Sequence, residues 1–215
     1  MSIIIERLKK IKSNIEKVSG NGPRTIVAVS KTFSLDHIMP LINYGHMHYG
    51  ENKVQEAEVK WLQIKSKNKS LKLHMIGKLQ TNKAKKAVQI FDYIHSLDSQ
   101  KLADMLAKSQ ESINKSIKYF IQVNLGNENQ KSGVKKNELD SLFSYCKEIG
   151  LNVIGLMCIP PVDLDPIPFF KELKDLNDSL KLSDLSMGMS SDYKEAIENF
   201  STYLRIGSEI FGKRD

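Results

Sequence analysis

The chain reads as an α/β protein, a single TIM-like (β/α)8 barrel domain over residues 1–215 with an extra helix ahead of the first strand. Three observations lead there. Eight short apolar runs alternate with longer amphipathic stretches. Several of the runs are almost wholly apolar, as in Ile26-Val27-Ala28-Val29 and Tyr119-Phe120-Ile121-Gln122-Val123, the mark of strands buried on both faces of a parallel sheet. Eight such runs over about 190 residues favour a closed barrel over an open doubly wound sheet, close to the lower size limit of that fold.

The opening helix is written by Ile4, Leu8, Ile11, Ile15 and Val18, spaced as one helical face, and Gly20, Gly22 and Pro23 end it. The expected strands are Thr25–Ser30, His46–Gly50, Leu71–Gly77, Tyr93–Leu97, Tyr119–Leu125, Val153–Ile159, Leu185–Met189 and Tyr203–Ile206. Between them Asn52–Ile64, Ser99–Ile113, Lys136–Ile149, Pro168–Leu180 and Asp192–Phe200 carry helical patterns. No internal repeat, low-complexity run or Gly/Ser linker divides the chain.

Composition, 40% hydrophobic and 27% charged, is that of a soluble globular protein. The longest apolar stretches fall short of the roughly 20 residues a membrane helix needs. Ile3-Ile4-Ile5 runs into charged residues with no secretory cleavage pattern behind it, so the expected location is the cytoplasm. Cys146 and Cys158 form no C-x-x-C pair and read as small, reduced core residues. The net charge of +7 is concentrated in the first half, with eight lysines and no acid between Lys65 and Lys86. That stretch lacks interleaved aromatics, which makes a solvated lysine-rich face the better reading than a nucleic-acid footprint.

In a barrel of this kind ligands bind at the C-terminal ends of the strands, and phosphate commonly sits after strands 7 and 8. Lys31 follows the first apolar run directly. In a partly desolvated pocket its amine loses charge more readily and can attack an aldehyde, although a strand-end lysine can equally reach into solvent. At the other end of the sequence, Gly188 and Gly207 permit close backbone approach, Ser190 and Ser208 offer hydroxyls, and Ser191-Asp192 opens a helix. Asp192 reads as an N-cap with Glu195 in the capping-box position. Arg205 precedes the second glycine–serine pair. Facing a pyridine nitrogen, a guanidinium could only donate, so that nitrogen would stay unprotonated and be a poorer electron sink; a salt bridge at the barrel mouth is the alternative. Asn52 either touches such a ring or caps the following helix with Gln55. His74 reads as a core histidine. No histidine has partners at metal-ligand spacing, and neither G-x-x-x-x-G-K-[ST] nor G-x-G-x-x-G occurs.

Seven blocks in order resemble one family: VAVSKT (27–32), YGENKVQE (49–56), HMIGKLQTNK (74–83), VNLGNENQKSG (123–133), GLMCIP (155–160), SMGMSSD (186–192) and RIGSEIFG (205–212). They are similar to the pyridoxal phosphate homeostasis proteins, the YggS/PROSC-like family, across nearly the whole chain. The resemblance implies a barrel like the N-terminal domain of alanine racemase, usually monomeric. It also implies pyridoxal 5′-phosphate (PLP) held as a Schiff base on Lys31, with Ser190, Gly207 and Ser208 around the phosphate, Arg205 near the pyridine nitrogen and Asn52 beside the cofactor. The segment from Pro161 to Ser183 is less family-like. No settled catalytic activity is attached to the family, which is regarded as regulating cofactor supply and amino-acid balance; release of PLP to PLP-dependent apoenzymes is the expectation from a lysine and phosphate constellation without an evident second base. Only Gly212-Lys213-Arg214-Asp215 follow the last strand region, so the β-rich second domain of racemases and decarboxylases is not expected here.

Two functions of different class therefore stand at the level of sequence. One is a PLP-binding protein of cofactor homeostasis without turnover. The other is a small PLP-dependent racemase or lyase, which needs proton transfer on both faces of the substrate α-carbon and for which only Tyr49 and His74 stand as second-base candidates.

Overall fold

The structure is a computed structural model that describes residues 2–18, 23–126 and 132–213. Gly20 and Gly22, part of the 123–133 block, and Arg214 and Asp215 lie outside those residues. Eight parallel strands close into a barrel in sequence order, with β1 (Thr25–Val29) paired to both β2 (His48–Glu51) and β8 (Tyr203–Ile206). Between them run β3 (Lys72–Met75), β4 (Tyr93–Leu97), β5 (Lys118–Gln122), β6 (Asn152–Met157) and β7 (Asp184–Met189). The TIM-like class expected from the alternation is the one observed, and all eight strands fall on the expected runs with ends moved by up to three residues.

The helices are α1 (Ile3–Val18), α2 (Leu35–Asn43), α3 (Val54–Lys67), α4 (Ala84–Ile90), α5 (Gln100–Ser112), α6 (Lys136–Glu148), α7 (Ile167–Ser179), α8 (Tyr193–Glu198) and α9 (Ser208–Phe211). Three of them, α2, α4 and α9, were not expected. α1 buries Ile4, Leu8, Ile11 and Ile15, the predicted stripe, and packs against α2, α8 and α9. Its place follows from the shortness of α9. Four residues cannot cover the seam between β8 and β1, and α1 covers it, tied to α8 by Asn14 Nδ2 donating to the Tyr193 hydroxyl at 3.1 Å.

Two cores result. The larger lies between sheet and helices and includes Trp61, Phe91, Tyr119 and Phe170. The smaller fills the barrel and holds Val27, Tyr93, Phe120, Met157 and Tyr203, with the buried His74 and His95 stacked among them. Since strand side chains alternate, Val27 inside places Val29 inside as well and turns Lys31 toward the C-terminal mouth. Cys146 and Cys158 are buried free thiols, and burial raises both to about 12, which leaves them unreactive. Among the described residues no helix is long and apolar enough to cross a membrane.

Candidate functional site

A cavity of about 650 Å³ opens at the C-terminal mouth of the barrel, and Lys31, Asn52, Ser190, Arg205, Gly207 and Ser208 all line it. These are the six residues picked from sequence, drawn from four strand ends. Val29, Ile76, Ile159 and Met189 supply apolar walls, and Lys213 adds a third cation to Lys31 and Arg205. Such a lining, with no carboxylate among its described residues, suits an anionic ligand that has an apolar body.

Lys31 sits on a fastened turn. Ser30 N donates to Gly50 O at 3.0 Å, Phe33 N donates to Ser30 O at 3.2 Å, and Thr32 between them has φ +70°. A β-branched residue in the left-handed region is strained, and such strain persists only where the surroundings over-determine it. Here they do. Glu51 turns outward from the barrel, fully buried, and its Oε1 accepts from Ser30 Oγ at 2.7 Å, Lys60 Nζ at 3.0 Å and Trp61 Nε1 at 2.9 Å. Lys60 Nζ also donates to Ser30 O at 2.8 Å, so α3 grips the residue directly before Lys31.

Across the cavity the β7 and β8 ends meet. Ser190 Oγ accepts from Gly207 N at 3.2 Å and Glu209 N at 3.4 Å, which orients this serine and the β8 loop as one unit. Gly188 lets the chain turn there at φ +89°, with Ala196 Cβ only 2.5 Å from where its own Cβ would be. Arg205 is 4% exposed. Its Nη1 donates to Ser186 Oγ at 2.7 Å and its Nη2 to Cys158 O at 2.8 Å, and burial lowers it from the usual arginine range. The salt-bridge alternative for Arg205 is not what forms: its partners are a hydroxyl and a carbonyl.

Two capping expectations are corrected. Lys53, not Asn52, is the N-cap of α3, and Asn52 is left to line the cavity. Asp192 does stand at the N-cap of α8, but its carboxylate makes no cap bond and accepts from Met189 N at 2.5 Å instead. The strand end needed that acceptor more than the helix did.

The second-base candidates do not reach the cavity. Tyr49 faces outward, packed on Trp61 with ring centroids 4.7 Å apart. His74 lies in the barrel interior, hydrogen-bonded to His48 and His95, and is absent from the lining. His48, His95, Ser186, Glu51 and Lys60 were not singled out from sequence. His48, His95 and Ser186 face inward, which the sequence does not disclose until the strand register is known. Several Lys65–Lys86 side chains have structural partners: Lys65 pairs with Asp92, and Lys86 with Glu58.

Comparison with known proteins bears on the family and the fold. The family model described as alanine racemase, N-terminal domain, matches residues 7–215. The pyridoxal phosphate homeostasis protein of Aquifex aeolicus is 39% identical over 97% of this chain and 97% of its own. That of Pasteurella multocida is 35% identical over 99% and 98%. The solved structure of PipY from Synechococcus elongatus PCC7942 with PLP bound superposes with a TM-score of 0.87 at 33% identity, covering 97% of this chain and 100% of that one. With a barrel and a sequence shared over nearly full length, the chain belongs to the pyridoxal phosphate homeostasis protein family and carries the fold of the alanine racemase N-terminal domain.

Proposed function

We propose that this chain binds PLP in the C-terminal cavity and serves the cell's supply of that cofactor without turning over an amino acid. The observation that carries this reading is the convergence of Lys31, Arg205 and the Ser190–Gly207–Ser208 loops on one cavity of about 650 Å³. The residues fit the group: a lysine at one end, hydroxyls and a close-packed glycine at another, cations throughout and apolar walls between. The cofactor offers an aldehyde that condenses with a lysine amine. Lys31 provides that amine from a rigid turn, Ser190, Gly207 and Ser208 hold the phosphate, Asn52 lies beside the ring, and Arg205 faces the ring nitrogen as a donor, which keeps that nitrogen unprotonated.

Absence of turnover rests on the outward Tyr49 and the interior His74, neither of which lines the cavity as a second base for the opposite face of a substrate. The chain acts as one barrel domain, as a monomer in the cytoplasm, with PLP-dependent apoenzymes as recipients. The test is the visible spectrum of purified protein given PLP, wild type beside Lys31→Ala, followed by an amino-acid turnover assay. A cofactor band in the wild type that is absent from the variant, with no turnover, is expected. Sustained racemisation or decarboxylation would move the protein to the racemase or lyase reading, and no band in the wild type would overturn both.

A further inference from the structure

Beneath the cavity the barrel holds a polar chain that cofactor binding as described leaves unused. His48 on β2, His74 on β3 and His95 on β4 stand on neighbouring strands and face inward. His48 Nδ1 lies 3.0 Å from His74 Nε2, His74 Nδ1 lies 2.9 Å from His95 Nε2, and His95 Nδ1 lies 2.7 Å from Ser186 Oγ. Arg205 Nη1 donates to that same oxygen at 2.7 Å. His48 lines a second cavity, of about 710 Å³, where α1 meets the N-terminal ends of β1 and β2. One unbroken sequence of hydrogen bonds thus joins the linings of the two cavities. His74, His95 and Ser186 are 0% exposed, so their polar atoms depend on one another.

A neutral imidazole has one donor and one acceptor, and burial holds His74 and His95 well below the ordinary histidine range. Only two arrangements then satisfy the chain. Either every ring is protonated on Nε2, with lone pairs facing Arg205, or every ring is protonated on Nδ1, with N–H groups facing it. Arg205 selects the first. Its guanidinium only donates, so Ser186 Oγ is an acceptor toward it, and His95 Nδ1 stands in reach of the hydroxyl proton. A fixed cation at one end also favours dipoles whose negative ends point toward it.

We propose that His48, His74 and His95, acting through Ser186, are positioning residues for Arg205, a one-way imidazole relay that fixes the guanidinium in the cavity lining and couples it to the second cavity at His48. The relay rests on the reading that Arg205 faces the ring of bound PLP. Its sensitive end is His48. A proton added at His48 Nδ1 meets the His74 Nε2–H, so the first bond breaks or the whole chain reverses. Reversal delivers His95 Nδ1–H to Ser186 and leaves the serine proton without that acceptor. Around His48, burial is the largest influence against its charge, followed by Lys72 of β3, while Lys118 of β5 opposes it more weakly and Asp92 ahead of β4 favours it. His46 bonds to the His48 carbonyl, the Tyr93 ring lies tilted to His48 with centroids 6.1 Å apart, and the cavity beyond carries Lys12, Arg24 and Glu16.

The tautomers are read directly from the nitrogen shifts of isotope-labelled histidine, assigned with single variants, in protein with and without PLP. Nε2–H on His48, His74 and His95 at neutral pH is expected, and Nδ1–H on either buried ring overturns the relay. The coupling is read from two variants at the sensitive end. His48→Phe keeps a ring beside Tyr93 but removes the acceptor, whereas His48→Gln restores one. The absorption band of bound PLP is expected to shift and its dissociation rate to change roughly threefold or more in His48→Phe, with recovery in His48→Gln. An unaltered band and rate in His48→Phe overturn the relay. Failure of the wild type to bind PLP would instead remove the reading of the site, while the shifts of the free protein still decide the polarity of the chain.

Discussion

At the scale of single residues, the site depends on side chains that are not there. A Cβ at Gly188 would lie 2.5 Å from Ala196 Cβ and 3.1 Å from Tyr193 Cα, on a backbone at φ +89°. Gly188→Ala therefore combines left-handed strain with overpacking and is expected to cost about 2–4 kcal/mol. Because Ser190 is two residues on, PLP affinity falls with it; a urea midpoint and a PLP titration read the two effects, and an unmoved midpoint contradicts the packing account. At Gly77 a Cβ would meet Asn52 O at 2.4 Å, so that glycine is what admits the Asn52 backbone beside β3. The six cavity residues were legible in sequence for a topological reason: a parallel barrel brings every strand's C-terminal end to one mouth, so the residues just past the apolar runs converge on the site. The facing of individual side chains was not legible. Tyr49 and His48 are adjacent, one outward and one inward, and only a register anchored on a known inward residue separates them.

At the scale of elements, α3 and the turn after β1 are joined by charge buried between them. Glu51 is 0% exposed and Lys60 12%, and this pair binds Ser30 and Trp61 as well. Lys60→Met removes the cation and leaves a carboxylate in the core with only neutral donors. The expected loss is about 3–5 kcal/mol, larger than for an exposed pair such as Lys53–Glu56. Since Lys60 also holds the Ser30 carbonyl, the variant is expected to bind PLP more weakly even where it stays folded. Equal urea midpoints for Lys60→Met and Lys53→Met would refute this weighting. The helices not anticipated share a physical cause. Periodicity needs about three turns to show, and α2 has nine residues with Pro40 inside, α4 seven after the short 3₁₀ turn Thr81–Lys83, and α9 four. α2 and α4 are helical because the barrel demands a return path to the next strand, and α9 turns the chain after β8 back against α1.

At the scale of the whole molecule, the polar barrel interior makes stability depend on pH. His74 and His95 lie well below the ordinary histidine value, His46 is lowered to about 4 and His48 is lowered too, in each case chiefly by burial. A group whose folded value lies below its unfolded one binds protons in the unfolded chain first. The unfolded chain takes up these protons below about pH 6.5, so stability is full above that pH and is lost as pH falls through it. Each fully buried histidine contributes about 1.3 kcal/mol of loss between roughly pH 7 and 5.5, hence about 2.5 kcal/mol for His74 and His95 together. Asp98 and Asp192, raised by burial, act with the opposite sign, taking protons in the fold before the unfolded chain does, and so soften the loss at the acid end. Urea unfolding at pH 5.5, 6.5 and 7.5 measures the slope, and His95→Gln separates its origin. The variant is expected to start less stable, because Arg205 and Ser186 lose their relay partner, and to lose less than the wild type on acidification, by about one histidine's share. A variant slope equal to that of the wild type would mean that His95 accepts a proton inside the barrel. The fold would then tolerate beside Arg205 the charge that its burial otherwise excludes.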